Sequence, residues 1–452
     1  MTEHWAWDAV FYHIYPLGYC GAPERNDFSS PPAHRLAEIE GRLGAIQALG
    51  ANAIYLGPVF ESESHGYDSV DYRMVDRRLG TKEDLTRLAS AIHGRGMRLV
   101  LDGVFNHVGR AHPWFRELRS GGPASAAAAR FSGVRAGASP YGDGFSYEGW
   151  GGHLSLAKLN LRDAPTRAEL IAAATSWIED YGIDGLRLDA ADCLDLGFLA
   201  ELAAACRARR GDFWLFGEII HGDYRRWAKP GPLDAVTNYE CWKGLWSSLA
   251  ERNYFEIAYA LNRQFGPAGL YRGLPLYAFA DNHDVDRAAS LLPEPALLYP
   301  LYCLLFTMPG VPSVYYGSEL GARGRKGRGE GADRPLRPSM AELESSPPEP
   351  DLARAIARLA ALRRRLPALR RGGYRELLVR HEQLAFERAS PEGRVIVALN
   401  ASASPVELEL PVGGGASALV DELDEGREAF AVRNGVSRIT LYPRWARVLG
   451  VL

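Results

Sequence analysis

The sequence predicts an α/β protein: a (β/α)8 TIM barrel with an insertion after its third strand and a C-terminal antiparallel β-sandwich domain. Strand-like and helix-like patterns alternate from the start, and eight short apolar runs recur with helices between them. After residue 372 the hydrophobic period changes to two. A chain of 452 residues exceeds the roughly 250 of a plain barrel, which leaves about 200 for an insertion and a second domain.

The first strand is the run Val10 to Tyr15. Leu36, Ile39, Leu43 and Ile46 follow at helical spacing, and Ala53 to Leu56 makes the second strand. Thr81 and Asp84 form an Asp-based capping box before Leu85, Leu88 and Ile92. Gly96 closes that helix, and Leu99 to Leu101 is the third strand. Asp163 caps a helix carrying Leu170, Ile171, Trp177, Ile178 and Tyr181; Gly182 ends it and feeds the strand Asp184 to Asp189. The last four strands are Phe213 to Glu218, Ala235 to Tyr239, Leu276 to Asp281 and Pro312 to Tyr316. Eight short strands in this order favour a closed parallel barrel over an open sheet.

Two stretches interrupt the alternation. Residues 108–160, rich in Gly, Ala and aromatics, are long enough for a functional insertion, within which Pro123 to Ala129 reads as a low-complexity spacer. Residues 321–350 form a second long loop whose Arg323, Arg325, Lys326 and Arg328 read as solvated charges. An arginine-rich helix over 351–370 precedes the period-two runs Leu378 to Glu387, Val395 to Leu399, Val406 to Leu410 and Ile439 to Tyr442. The organisation is therefore barrel over 1–107 and 161–372, insertion over 108–160, and β domain over 373–452. The β domain carries no chemical motif, and packing is its expected role.

Composition bounds the function. Apolar residues make up 47% and charged ones 24%, ordinary for a globular protein with a substantial core. A net charge of −3 supplies no field that would gather nucleic acid or an anionic membrane, so a neutral partner is expected. No segment reaches the roughly 18 apolar residues of a membrane span, and the start, MTEHWAWDAVFYHIYP, lacks a basic region followed by an apolar one. The expected location is the cytoplasm. Cys20, Cys193, Cys206, Cys241 and Cys303 are odd in number, scattered and without a CxxC pair, which predicts buried free thiols rather than disulfides or zinc.

Catalytic groups of a parallel barrel sit at the carboxyl ends of its strands. Four apolar runs end in polar residues: LVLDGVFNH (Asp102, Asn106, His107), GIDGLRLDAAD (Arg187, Asp189), FWLFGEII (Glu218) and YAFADNHD (His283, Asp284). Arg187 and Asp189, two apart on one strand, share a face, so the guanidinium is expected to keep the carboxylate ionised and oriented as a nucleophile. Glu218 ends a strand of Phe213, Trp214, Leu215 and Phe216, where desolvation is expected to favour the neutral form that a general acid needs. Two carboxyls in contrasting environments, about 5 Å apart, suit double displacement at an anomeric carbon with retention. Asp284 is free to accept hydrogen bonds from sugar hydroxyls and to help distort the ring.

These stretches resemble the four short motifs of the α-amylase superfamily, in order and spacing, and the similarity extends over the whole chain. The resemblance implies Asp189 as nucleophile, Glu218 as acid/base and Asp284 as transition-state stabiliser. It places Asp102, His107, Arg187 and His283 around the sugar that is attacked. Tyr67, in HGYDSVDY, matches the family aromatic that stacks on that sugar, with His65 nearby. Asp333 and Arg337, in GADRPLRP, resemble the pair that contacts the next sugar, and MPGVPSVYYGSE resembles the eighth strand. Ala190 after the nucleophile mildly favours α-1,4 over α-1,6 bonds.

Many α-amylases hold a structural calcium at positions that read here as Asn106, Lys158 and Cys193. A lysine ammonium opposes a hard cation and a thiol is a poor calcium ligand, so neither metal nor other cofactor is expected. The LAKLN stretch and the glycine-rich loop before DRPLRP are similar to neopullulanases and cyclomaltodextrinases. Those enzymes usually carry an extra N-terminal domain, whereas this chain begins at the first barrel strand, so their dimer is not carried over. Hydrolysis of α-1,4 bonds in maltodextrins, starch fragments or cyclodextrins is the leading expectation. A transglycosylase or isomerase using the same site, and more remotely a non-catalytic glucan-binding protein, are the alternatives.

Overall fold

In the computed structural model, which describes residues 4–329 and 331–452, eight parallel strands form one sheet. Met1–Glu3, at the start of the stretch read for a leader, and Glu330, in the long loop after the eighth strand, lie outside the described residues. The strands are β1 (Phe11–Ile14), β2 (Ala53–Leu56), β3 (Arg98–Gly103), β4 (Gly185–Leu188), β5 (Trp214–Gly217), β6 (Ala235–Val236), β7 (Tyr277–Phe279) and β8 (Val311–Tyr315). Their order is β6-β5-β4-β3-β2-β1-β8-β7, and a parallel bridge between Thr237 and Tyr277 joins the two ends into a barrel. Each strand overlaps the apolar run from which it was predicted.

Strand alternation builds the platform for the site. Phe11, Ala53, Tyr55, Val100, Trp214, Phe216, Tyr277, Phe279 and Val311 form one cluster inside the barrel. Phe11 stacks on Trp214 at 5.2 Å and Phe216 on Tyr277 at 4.6 Å. The intervening Ile54, Leu56, Leu99, Leu101, Leu186, Leu188 and Leu215 belong instead to the larger core that includes the helices. An aromatic plug thus fills the barrel.

The helices Leu36–Ala48, Lys82–Gly94 and Ala164–Tyr181 bury the apolar faces read from the sequence, except that Ile171 is only half-buried. Both bonds of the Thr81–Asp84 capping box are present, Asp163 accepts from the Thr166 N–H, and Gly182 closes its helix at φ +64°. The expectation of a helix between every pair of strands fails once. Between β5 and β6 the chain makes only a short 3-10 turn, Tyr224–Arg226, because Pro230-Gly-Pro232 follows and denies a longer helix its backbone donors.

The insertion opens with the strand His107–Gly109, which pairs with His153–Lys158, and a helix, Pro113–Gly121, follows it. The alanine run is not a bare spacer. Ala126–Arg130 forms a 3-10 turn that buries Ala127, and Arg130 lies over the Trp114 ring at 4.5 Å; small side chains let this segment pack closely, which composition alone did not reveal. In the loop after β8, Arg323, Arg325, Lys326 and Arg328 are exposed, but Lys326 Nζ also pairs with Asp333 at 2.8 Å. Cys193 departs from the expectation of buried thiols and is exposed, because the turn that follows β4 carries it to the surface; all five cysteines are free. No described helix is long and apolar enough to cross a membrane.

The C-terminal domain is an antiparallel sheet of eight strands: β9 (Gly373–Val379), β10 (Gln383–Ser390), β11 (Gly393–Asn400), β12 (Val406–Pro411), β13 (Ala418–Asp421), β14 (Ala429–Arg433), β15 (Val436–Leu441) and β16 (Trp445–Val451). Ala385, Ile396, Leu408, Leu419, Ile439 and Leu449 meet in its core. The run Leu378 to Glu387, read as one strand, is the β9–β10 hairpin, with the Arg380 N–H donating to the Gln383 carbonyl at 2.8 Å. Period-two alternation records the face each residue takes and reads straight through such a tight turn.

Arg388 of β10 anchors this domain to the barrel. Its fully buried guanidinium donates to the carbonyls of Thr307 (2.5 Å), Leu369 (3.0 Å), Gly372 (2.8 Å) and Gly373 (3.2 Å), at the carboxyl ends of the helices Leu298–Thr307 and Pro367–Arg371. Arg388→Ala is expected to leave these carbonyls buried without donors and to cost about 3 kcal/mol or more. Denaturant unfolding checks this, with Arg438→Ala at an exposed position of the same domain as a control near zero.

Candidate active site

The polar residues that end the barrel strands meet above the aromatic plug. Asp102 on β3 is the register partner of Arg187 on β4, and one buried guanidinium ties three strands together. Arg187 Nη1 donates to Asp102 Oδ1 and to Asp189 Oδ1, each at 2.9 Å, and Nη2 pairs with Glu218 Oε2 at 2.8 Å. The Tyr55 hydroxyl donates to Asp102 Oδ2 at 2.7 Å. Ala190, in the left-handed region at φ +43°, turns its N–H onto Glu218 Oε2 at 3.1 Å. A non-glycine residue there carries strain, and it directly follows Asp189.

A second wall forms around β7. Asp284 Oδ2 lies 2.9 Å from His283 Nε2, and Asp284 Oδ1 accepts from Arg337 Nη2 at 3.0 Å. Arg337 continues to the His283 carbonyl at 3.0 Å and to Asp333 Oδ2 at 3.2 Å. The Tyr67 ring lies parallel to His283, with centroids 5.4 Å apart, and its hydroxyl bonds to His283 Nε2 and donates to Asp102 Oδ2 at 3.1 Å. His65, at the rim, accepts the Tyr67 N–H on Nδ1 at 3.3 Å. His107 Nε2 is 3.9 Å from Asp189 Oδ2 and is buried with no hydrogen-bond partner among the described residues. All eleven residues singled out from the sequence are joined through these contacts.

The electrostatics correct two expectations. Burial pushes the Asp189 carboxyl well above its ordinary value; Arg187 pulls it down, and the Glu218, Asp102 and Asp284 carboxylates push it up again. Arg187 favours the ionised form, as expected, but burial outweighs it, and the same guanidinium is shared with Asp102 and Glu218. Nor does Glu218 end in an apolar setting. Its carboxyl takes Arg187, the Ala190 N–H and the Tyr239 hydroxyl, since the aromatic residues of β5 lie below it and the strand end faces polar neighbours. Burial raises the Asp284 carboxyl, but His283, Arg337 and Arg187 outweigh it and hold the group well below the usual carboxylate range. Burial, helped by His65, pushes the His107 imidazole down to about 4, so it stays neutral at ordinary pH.

The sequence reading passed over Tyr55, Tyr239 and Asn282. Tyr239 had a signal, as the last residue of the sixth predicted strand, but only polar strand ends were sought there. Tyr55 looks like core because its ring is core, and only its hydroxyl reaches the site. The positions matching the family calcium site do not fit a hard cation. Lys158 Nζ sits 3.2 Å from Glu148, and partial screening from solvent together with the neighbouring Asp192 raises the Cys193 thiol to about 11, leaving it protonated. A surface hollow of about 540 Å³ between the helices Ala164–Tyr181 and Leu196–Arg209 contains none of the site residues.

The alpha amylase catalytic domain model matches residues 35–358. A cyclomaltodextrinase from Bacillus sp is 28% identical over 418 residues, covering 88% of this chain and 73% of that protein. An intracellular maltogenic amylase from Bacillus subtilis (strain 168) is 27% identical, over 88% of this chain and 69% of its own length. Among solved structures, the cyclic alpha-maltosyl-(1-->6)-maltose hydrolase from Arthrobacter globiformis, in complex with cyclic alpha-maltosyl-(1-->6)-maltose, superposes with a TM-score of 0.80. It is 27% identical and covers 99% of both chains.

Proposed function

Because the chain belongs to the α-amylase catalytic-domain family and is a glycoside hydrolase, we propose that it cleaves α-1,4-glucosidic bonds of maltodextrins and cyclodextrins with retention, through a glycosyl-enzyme on Asp189. The carrying observation is the single Arg187 guanidinium that spans Asp189 and Glu218. Carboxyls held on one guanidinium suit the roughly 5–5.5 Å of a retaining pair, not the roughly 6.5–9.5 Å that leaves room for water in an inverting one. The cyclodextrin and cyclic-glucan names of the relatives support cyclic substrates alongside linear ones.

Asp189 Oδ1 is occupied by Arg187, which leaves Oδ2, beside His107, to attack the anomeric carbon. Glu218 protonates the departing oxygen as the bond to C1 breaks. It then takes a proton from the water that releases the sugar from Asp189, and two inversions give net retention. Asp102, His283 and Asp284 bind hydroxyls of the attacked sugar, while Asp333 and Arg337 meet the next one. Neutral His107, its Nε2 without a hydrogen-bond partner among the described residues, donates to or accepts from a hydroxyl without adding charge.

The test is a panel of maltoheptaose, β-cyclodextrin, pullulan, trehalose and sucrose, with products identified and their anomers followed by NMR before mutarotation. The expected result is α-anomeric maltooligosaccharides from the first two. A β-anomer overturns the mechanism, and turnover of sucrose or trehalose alone overturns the substrate class. Raised by burial, the Asp189 carboxyl stays protonated to a higher pH than an ordinary aspartate. The acid limb of kcat/KM is therefore expected above the ordinary aspartate range, and a limb within or below that range contradicts it.

The reading includes no calcium at the position of Asn106, Lys158 and Cys193. EDTA is expected to leave both the melting temperature and the activity unchanged. A drop in melting temperature that calcium restores overturns this.

A further inference from the structure

We infer that Tyr239 is a positioning residue that aims the acid proton of Glu218; this rests on the reading of Glu218 as acid/base. The two carboxyl oxygens of Glu218 have different neighbours. Oε2 faces two donors that cannot accept a proton, Arg187 Nη2 at 2.8 Å and the Ala190 N–H at 3.1 Å. The transferable proton therefore resides on Oε1, whose one hydrogen-bond partner among the described residues is the Tyr239 hydroxyl, at 3.3 Å.

A phenol can donate or accept, and Asn282 decides which. The Asp284 N–H donates to Asn282 Oδ1 at 2.8 Å, which fixes the amide so that Nδ2 faces Tyr239 and donates to its oxygen at 3.1 Å. With its oxygen engaged, the Tyr239 hydroxyl hydrogen points at Glu218 Oε1. Two hydrogens cannot share that line, so the acid hydrogen on Oε1 is turned away from Tyr239, toward the cleft where the glycosidic oxygen arrives. The ring is held at its edge by Phe279, with centroids 5.0 Å apart, and by Trp242, at 5.9 Å. The chain Asp284–Asn282–Tyr239–Glu218 thereby links the two walls of the site through one phenolic hydroxyl, and β6, the shortest barrel strand, leads directly into the helix that carries it.

The test removes only the hydroxyl, with Tyr239→Phe, and compares kcat/KM for two substrates that report the same bond-breaking step. Maltotriose has a poor leaving group and needs the proton. The 2,4-dinitrophenyl α-maltoside has a leaving group that departs without one. The expected result is a loss of about tenfold or more on maltotriose, carried by kcat with KM within about twofold, and little change on the aryl maltoside. The aryl rate also counts folded sites in the same preparation. Equal losses on both substrates, or no loss on either, overturn the role of Tyr239. Glu218→Gln is run beside it: a larger loss with the same selectivity upholds the acid assignment, so the two readings fail separately. Retention of maltotriose activity by Glu218→Gln removes the basis of both.

Discussion

Glu218→Gln is expected to lower kcat/KM for maltooligosaccharides by about 10² to 10⁴-fold while the protein keeps its melting temperature. Glutamine preserves the size of the side chain, and its carbonyl can still accept from Arg187 Nη2 and the Ala190 N–H, so these two contacts persist while the Tyr239 hydroxyl loses its acceptor. What is lost is the proton for the leaving oxygen and the base for the incoming water. An aryl maltoside with a good leaving group still glycosylates Asp189, and the variant then accumulates as glycosyl-enzyme. Added azide, which needs no base, releases it as the α-glycosyl azide. Near wild-type turnover on maltotriose, or a β-azide product, is incompatible with the roles proposed for Glu218 and Asp189.

Much of this was legible in the sequence because barrel chemistry follows strand ends. Arg187 and Asp189 are two apart on a strand, so alternation alone puts them on one face, and the ion pair at 2.9 Å follows. What alternation does not contain is who else shares the guanidinium. Asp102 arrives from β3 and Glu218 from β5, through pairings across strands far apart in the chain. Burial raises Asp189 and that crowding adds to it, so a reading of neighbours along one strand finds the pull of Arg187 but not what outweighs it. The same limit hid Tyr239 and Asn282, since a hydrogen-bonded link between the start of the helix after β6 and the loop after β7 leaves no periodic trace. The β9–β10 turn escaped because a hairpin preserves period two, whereas Gly182 and the Thr81–Asp84 box were readable because a helix end needs those residue types locally.

Asp189→Ala is expected to lower kcat for maltooligosaccharides by on the order of 10⁴-fold or more, since no other described carboxyl stands beside both Arg187 and an unoccupied approach to C1. Asp102 is bound on both oxygens by Arg187 and Tyr55, and Asp284 by Arg337 and His283. A fluorinated maltosyl fluoride should label the wild-type protein on the peptide containing Asp189 and leave the variant unlabelled, while azide should now give the β-glycosyl product by a single inversion. Labelling of another peptide, or full activity, sinks the assignment. Stability should move the other way. The folded pocket raises the Asp189 carboxyl, so the folded state binds a proton more tightly than the unfolded chain does. The ionised group therefore costs stability at neutral pH, and the cost fades as pH falls below its folded value. At pH 7 the alanine variant is expected to melt above the wild type, with the gain shrinking as the pH falls. An aspartate that burdens the fold and whose removal abolishes turnover is placed for chemistry, since packing alone would favour its replacement.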